Sequence, residues 1–142
     1  MGEGWTFARL NQAFRCLINE PAPALIALGM TRYWRAEDGL RLDTGPFVAA
    51  LRYASGVEPL VIGKPSSTFF DTGAHRLGMM PQQVLMIGDD IRGDVEGAQR
   101  AGLNAALVKT GKFQPQDLQG PVHPDLVLDS VADLPTSWKT LQ

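Results

Sequence analysis

Two short stretches of this chain carry residue types that handle metal ions and phosphate. The first, Gly88-Asp89-Asp90-Ile91-Arg92-Gly93-Asp94, follows directly on the apolar run Val84-Leu85-Met86-Ile87. Carboxylates gathered where a buried strand ends repel one another unless a cation neutralises them. Mg2+ suits such a place, because it takes one or two carboxylates and completes its shell with waters and phosphate oxygens. The plainer reading of the same residues is a solvated acidic loop whose Asp94 caps the next helix. The second stretch is Gly63-Lys64-Pro65, closing the run Pro59-Leu60-Val61-Ile62. A lysine at the carboxyl end of a strand can aim its ammonium into the crevice where open α/β sheets bind ligands, and hold a phosphate or a carboxylate there. Pro65 fixes the backbone behind it, and Ser66 or Ser67 can cap the helix that follows. By itself a lysine in this setting reads equally well as a solvated surface charge.

The elements that must position these residues alternate strand, loop and helix from residue 59 onward. Residues 59–62 form a buried strand and Gly63–Ser67 its exit loop. Residues 67–77 form a helix with Phe69, Phe70, Ala74 and Leu77 inward, closed by Gly78. Val84–Gly88 is apolar throughout, the pattern of a strand with helices on both faces of its sheet. A helix then runs from about Asp94 to Ala101, with Gly102 beyond its end. Residues 104–109 and 125–129 are further strands, and Ser130 caps a short last helix carrying Leu134, Trp138 and Leu141. This rhythm predicts an α/β fold with a parallel sheet. Upstream, Phe7, Leu10, Phe14, Leu17 and Ile18 predict an amphipathic helix over residues 6–19, ended by Pro21 and Pro23. Residues 24–28 and 31–35 read as strands, or as a strand and its extension, and residues 36–45 as a polar loop. A helix from Pro46 to about Ala54 turns Phe47, Ala50 and Leu51 inward. The composition shift at residues 55–59 places a boundary there: an accessory lobe over residues 1–58, and half of a doubly wound core over residues 59–142.

The 142 residues, 44% hydrophobic and 20% charged, suit a folded chain with one sizeable core. A net charge of −2 offers no electrostatic basis for binding nucleic acid or an anionic membrane. No stretch approaches the roughly 20 apolar residues that span a bilayer, and Met1–Leu10 lacks the features of a signal peptide. The single cysteine, Cys16, excludes an internal disulfide and suits a reducing cytoplasm; its apolar helical surroundings predict a packing role. His75 and His123 have no partner nearby in sequence. Trp5, Trp34 and Trp138 read as packing anchors, and Lys109 and Lys112 as charges that flank the crevice or simply face solvent.

Taken together, GKPSSTFF, VLMIGDDIRGDVEGAQRAG and ALVKTGK resemble the C-terminal half of haloacid-dehalogenase (HAD) superfamily hydrolases. The resemblance extends upstream: NQAFRCLINEPAPALIAL and RYWRAEDGLRLDTGPFVAAL look like the second half of the α/β cap that one subgroup inserts between its second and third motifs. It covers nearly the whole chain. It implies a partial HAD-like Rossmannoid parallel sheet preceded by part of a cap, Mg2+ as cofactor and a small phosphorylated molecule as substrate. Lys64 matches the third-motif lysine that steadies the nucleophile and the phosphoryl group. Asp89 matches the metal-ligating aspartate of the fourth motif and Asp94 its second acid, while Asp90 lies at a position near the metal. Gly63 and Gly88 let backbone approach the crevice closely.

The same resemblance requires an Asp-x-Asp nucleophile motif and a second-motif Ser or Thr. No two aspartates in the sequence stand two positions apart, and Thr6 and Thr31 fall in cap-like sequence. Without a nucleophile the covalent step has no attacking group. Two functions therefore stand open: a piece of a Mg2+-dependent phosphohydrolase, inactive alone, or a non-catalytic binding or dimerisation module derived from one. In the family's core the nucleophile strand lies beside the fourth-motif strand, so Val84–Gly88 is expected to form an unprotected sheet edge and the chain to form a homo-oligomer.

Overall fold

The computed structural model describes residues 4–137 and divides into two units, Met1–Ser66 and Ser67–Gln142. In the first, helix α1 spans Phe7–Leu17, with Thr6 at its N-cap accepting the Arg9 N–H. Leu17 alone among the residues of α1 is buried; Phe7 and Ile18 face solvent, and Cys16 is an exposed free thiol rather than the packed group expected. Strand β1 (Ile26–Ala27) pairs in parallel with β4 (Leu60–Val61), so Ile26 faces Leu60 and Ala27 faces Val61. Between them lie β2 (Tyr33–Ala36), β3 (Gly39–Leu42) and helix α2 (Thr44–Ser55).

Several expectations for this unit need correction. The polar stretch 36–45 is not a loop: β2 and β3 form an antiparallel hairpin, with Tyr33 opposite Leu42 and Ala36 opposite Gly39. Glu37 and Asp38 make its two-residue turn, and Gly39 takes the positive φ of 126° that follows. On α2, Val48 and Leu51 are buried, whereas the expected Ala50 is exposed. Asp43 caps α2, its Oδ1 accepting the Thr44 N–H at 2.7 Å, and moves the start two residues ahead of Pro46. Gly45 packs so closely on the chain that a β-carbon there would stand 2.6 Å from the Met30 carbonyl oxygen. Strand β4 is not buried as expected, since Leu60 is largely exposed; its partner is β1 alone, in a two-stranded sheet with one uncovered face.

The second unit is a parallel three-stranded sheet in the order β5-β6-β7, formed by Leu85–Gly88, Asn104–Val108 and Leu126–Leu128. Helix α3 (Ser67–Leu77) and helix α4 (Gly97–Arg100) pack with it around Phe70, Val95, Ala98, Leu103, Ala105 and Leu107. Burying a side chain such as Leu107, which is wholly enclosed, stabilises the fold by about 1.5–3 kcal/mol. The α/β class with a parallel sheet is the one the strand–helix rhythm predicts. On α3, however, Phe70 and Ala74 are buried while Phe69 and Leu77 remain exposed. Ser130 does cap the last turn, its Oγ accepting the Ala132 N–H at 3.0 Å, and α5 spans Leu134–Ser137. Trp138 and Leu141 lie outside the described residues.

Candidate functional site

Strands β5 and β6 run in parallel with Gly88 beside Leu107, so the segments that leave their carboxyl ends emerge together. The segment after β5 carries the acidic cluster. Asp90 caps a single widened turn, Ile91–Glu96, of π-helical type that runs into α4. Its side chain accepts the Arg92 N–H at 3.1 Å, and its carbonyl accepts from both Asp94 and Val95. Asp94 is therefore not the helix cap. It lies within the turn, only 3% exposed, and accepts the Asp90 N–H at 3.2 Å. Widened turns of this kind recur at functional sites, because they shift a side chain out of the regular helical register.

Each of the three carboxylates is seated over a glycine. A β-carbon on Gly88 would collide with the Asp94 carboxylate, one on Gly93 with that of Asp90, and one on Gly111 with that of Asp89. Gly111 belongs to the segment after β6 and has φ +55°, a conformation that side-chain-bearing residues rarely take. The next residue, Lys112, meets two of the acids. Its backbone N–H donates to Asp89 Oδ2 at 2.8 Å, and its Nζ stands 2.5 Å from Asp90 Oδ2. The pair is largely out of water, with side-chain exposures of 12% and 18%. Burial, the largest influence on Asp90, pushes its carboxyl up. The Lys112 ammonium and the N–H groups of Gly93 and Arg92 outweigh burial and hold the group below the usual carboxylate range.

Lys64 belongs to the first unit. Gly63 before it is buried so tightly that a β-carbon would collide with the Leu28 carbonyl, and the Lys64 carbonyl accepts the Met30 N–H at 2.9 Å. A cis peptide joins Lys64 to Pro65. Lys64 lines a cavity of about 460 Å³ together with Trp5, Ile26, Asp43, Phe47 and Leu51; Trp5 and Phe47 stack at 5.4 Å within it. His75 and His123 are both exposed.

All the donors of the acidic cluster are carboxylate oxygens, the hard ligands that Mg2+ and Ca2+ prefer. Among the described residues, no group of three or more His, Cys, Asp or Glu side chains stands ready to hold a metal ion. The residues thus fit the one or two carboxylates of a Mg2+ shell rather than a complete cage. Sequence reasoning gave no role to Gly93 or Gly111, and read Lys112 only as a charge that flanks the crevice or faces solvent. The Lys-Thr-Gly-Lys run was the available signal, since it follows the strand that neighbours the acidic one.

Comparison with known proteins decides the family. The HAD-hydrolase-like family model matches residues 61–134, more than half of the chain. The chain belongs to the HAD-hydrolase-like family. This HAD-like chain is 45% identical to phospholysine phosphohistidine inorganic pyrophosphate phosphatase of Bos taurus, over 93% of its own length and 48% of that protein. It spans about half the length of the curated relatives it matches. Among solved structures, p-nitrophenyl phosphatase from Archaeoglobus fulgidus aligns with a TM-score of 0.80 at 30% identity, over 96% of this chain and 54% of that one. Glycerol phosphate phosphatase from Mycobacterium tuberculosis, in complex with calcium, aligns with a TM-score of 0.73 at 27% identity, over 89% and 38%. Among the described residues, no helix is long and apolar enough to cross a membrane.

Proposed function

We propose that this chain carries the lysine and acidic-loop half of a Mg2+-dependent phosphohydrolase site, and that alone it does not turn over phosphate esters. In this reading residues 1–58 correspond to the C-terminal part of a cap and residues 59–142 to half of the HAD-like core. The observation that carries it is the acidic turn after β5, whose three carboxylates are each seated on a glycine. Glycines in those places serve the carboxylates' positions, which a merely solvated loop does not require.

Asp89 and Asp94 would hold the cation, with Asp90 beside them. Bound there, Mg2+ would supply positive charge to the oxygens of a small phosphorylated substrate. Lys64 would add a point charge for phosphate, with Gly63 admitting the backbone beside it. The chain's own residues include no Asp-x-Asp carboxylate to attack phosphorus. The single exposed thiol of Cys16 fits a cytoplasmic setting.

The purified chain is expected to show no Mg2+-dependent hydrolysis of p-nitrophenyl phosphate above the buffer rate. Turnover abolished by both Asp89→Ala and Lys64→Ala would sink this reading and point to another nucleophile. Calorimetry is expected to show weak Mg2+ binding, because two carboxylates leave most of the shell to water; a dissociation constant of about 1 μM or tighter would contradict it. The second reading, a non-catalytic binding or dimerisation module, draws on the exposed apolar face of the β1–β4 sheet. Both readings include self-association.

A further inference from the structure

We propose that Lys112 is the positioning residue of the acidic turn and acts as its resident counter-cation, holding the turn in shape when no divalent ion is bound. The inference rests on the reading of Asp89, Asp90 and Asp94 as a cation-holding cluster, and goes beyond it by assigning a role to a residue on a different segment. One residue grips two neighbouring acids by two independent means. The Lys112 N–H donates to Asp89 Oδ2 at 2.8 Å and its ammonium meets Asp90 Oδ2 at 2.5 Å. The approach is built into the backbone: only a residue without a β-carbon leaves room for Asp89 at position 111, and Gly111 has φ +55° to turn the chain there. The parallel pairing of β5 and β6 brings the two segments out side by side.

The charge arithmetic supports the role. Asp89 and Asp90 are adjacent in sequence, Asp94 lies one turn on, and Asp94 is buried. Negative charges this close repel strongly where water is scarce. The Lys112–Asp90 pair is largely out of water, so the ammonium offsets repulsion that solvent screens only in part. Removing one member of such a pair leaves an uncompensated charge. An incoming divalent cation would take over that neutralising role and must compete with Lys112 for Asp90. Lysine at 112 therefore trades cation affinity for stability of the cation-free turn.

The test is thermal unfolding of the full chain in EDTA and in 10 mM MgCl2, with NaCl at matched ionic strength, for wild type, Lys112→Arg, Lys112→Met and the charge-balanced double variant Asp90→Asn/Lys112→Met. Lys112→Met should melt lower than wild type in EDTA. Mg2+ should raise its Tm by at least about 4 °C more than it raises that of wild type, as ligand linkage requires for a gain of about tenfold in affinity. Lys112→Arg should behave as wild type. The double variant should hold its Tm in EDTA and lose the extra Mg2+ response. A Mg2+ shift in Lys112→Met no larger than in wild type overturns the proposal, as does a double variant that responds as strongly as Lys112→Met. If Lys112→Met fails to fold in either buffer, the double variant decides: its folding supports charge balance and its failure to fold overturns it. A wild type without any Mg2+ response beside a responsive Lys112→Met would remove the metal-dependent reading of the native chain and leave the role of Lys112 standing.

Discussion

Gly88 has no side chain because the Asp94 carboxylate occupies the place where one would begin. Asp94 in turn is fixed by the Asp90 N–H and by burial, so neither group can yield without moving the turn. Gly88→Ala is therefore expected to cost about 1–3 kcal/mol, the usual price of overpacking, read as a lower urea midpoint with an unchanged slope. In an Asp94→Ala background the obstacle is gone, and the same change should cost less by at least about 0.5 kcal/mol. Additive costs in that double-mutant cycle would show that the glycine serves something other than the carboxylate. Asp89, Asp90, Asp94, Lys64 and Gly63 could be picked out of the sequence because each stands at a strand exit with a motif around it. For Lys112 the sequence left open whether it flanks the crevice or faces solvent, because its partners come from a segment more than twenty residues away, and only the side-by-side exit of β5 and β6 brings them into reach.

At the scale of the element, the β2–β3 hairpin shows how alternation can hide in a polar segment. Leu40 and Leu42 alternate with Gly39 and Arg41, and Asp38-Gly39 is a turn signal, but counting charges over residues 36–45 conceals both. Arg41 closes the turn with a forked contact on Asp38, its Nε at 2.9 Å from Oδ1 and its Nη2 at 2.7 Å from Oδ2. The Arg41 hydrogen bond is the largest influence on the Asp38 carboxyl and, with its charge, holds the group below its ordinary range. A carboxyl lowered on folding contributes stability above its unfolded pKa and loses it as pH falls through the folded value. NMR titration should thus place the Asp38 midpoint below that of a model peptide, and Arg41→Ala should return it toward the ordinary value. Unchanged midpoints in the two proteins would show that the fork does not persist in solution. The helices were legible in outline from apolar spacing, with Gly78 and Gly102 correctly read as lying just past helical segments. Their inward faces were less so. Periodicity gives a stripe, whereas burial depends on what covers it, and Phe69, Leu77 and Ala50 lie on stripe positions left uncovered.

At the scale of the whole molecule, two features leave bonding capacity and apolar surface open. Strand β5 is an edge of its three-stranded sheet, with apolar Leu85, Met86 and Ile87 and neither lysine nor proline to discourage pairing. In the other unit, the pairing of Ile26 with Leu60 puts Ile26, Leu28, Leu60 and Ile62 on one face of the β1–β4 sheet, and all four are exposed, Leu28 by 76%. Contiguous apolar surface of this kind marks an interaction site in a soluble protein. Its burial against a second copy would contribute about 25 cal/mol for each Å² of apolar area removed from water. A self-complementary contact of the usual kind buries about 1,600 Å² in total. The purified chain is therefore expected to sediment as a homodimer or larger species at micromolar concentration. Charge on the apolar face should separate the two routes to association. If the β1–β4 face mediates it, Leu28→Glu with Leu60→Lys should yield monomer; if edge pairing at β5 does, that double variant should remain associated and Met86→Pro should dissociate it. A folded monomer at high concentration in the unmodified chain would rule out both routes, since neither the edge nor the apolar face would then be used for contact between copies.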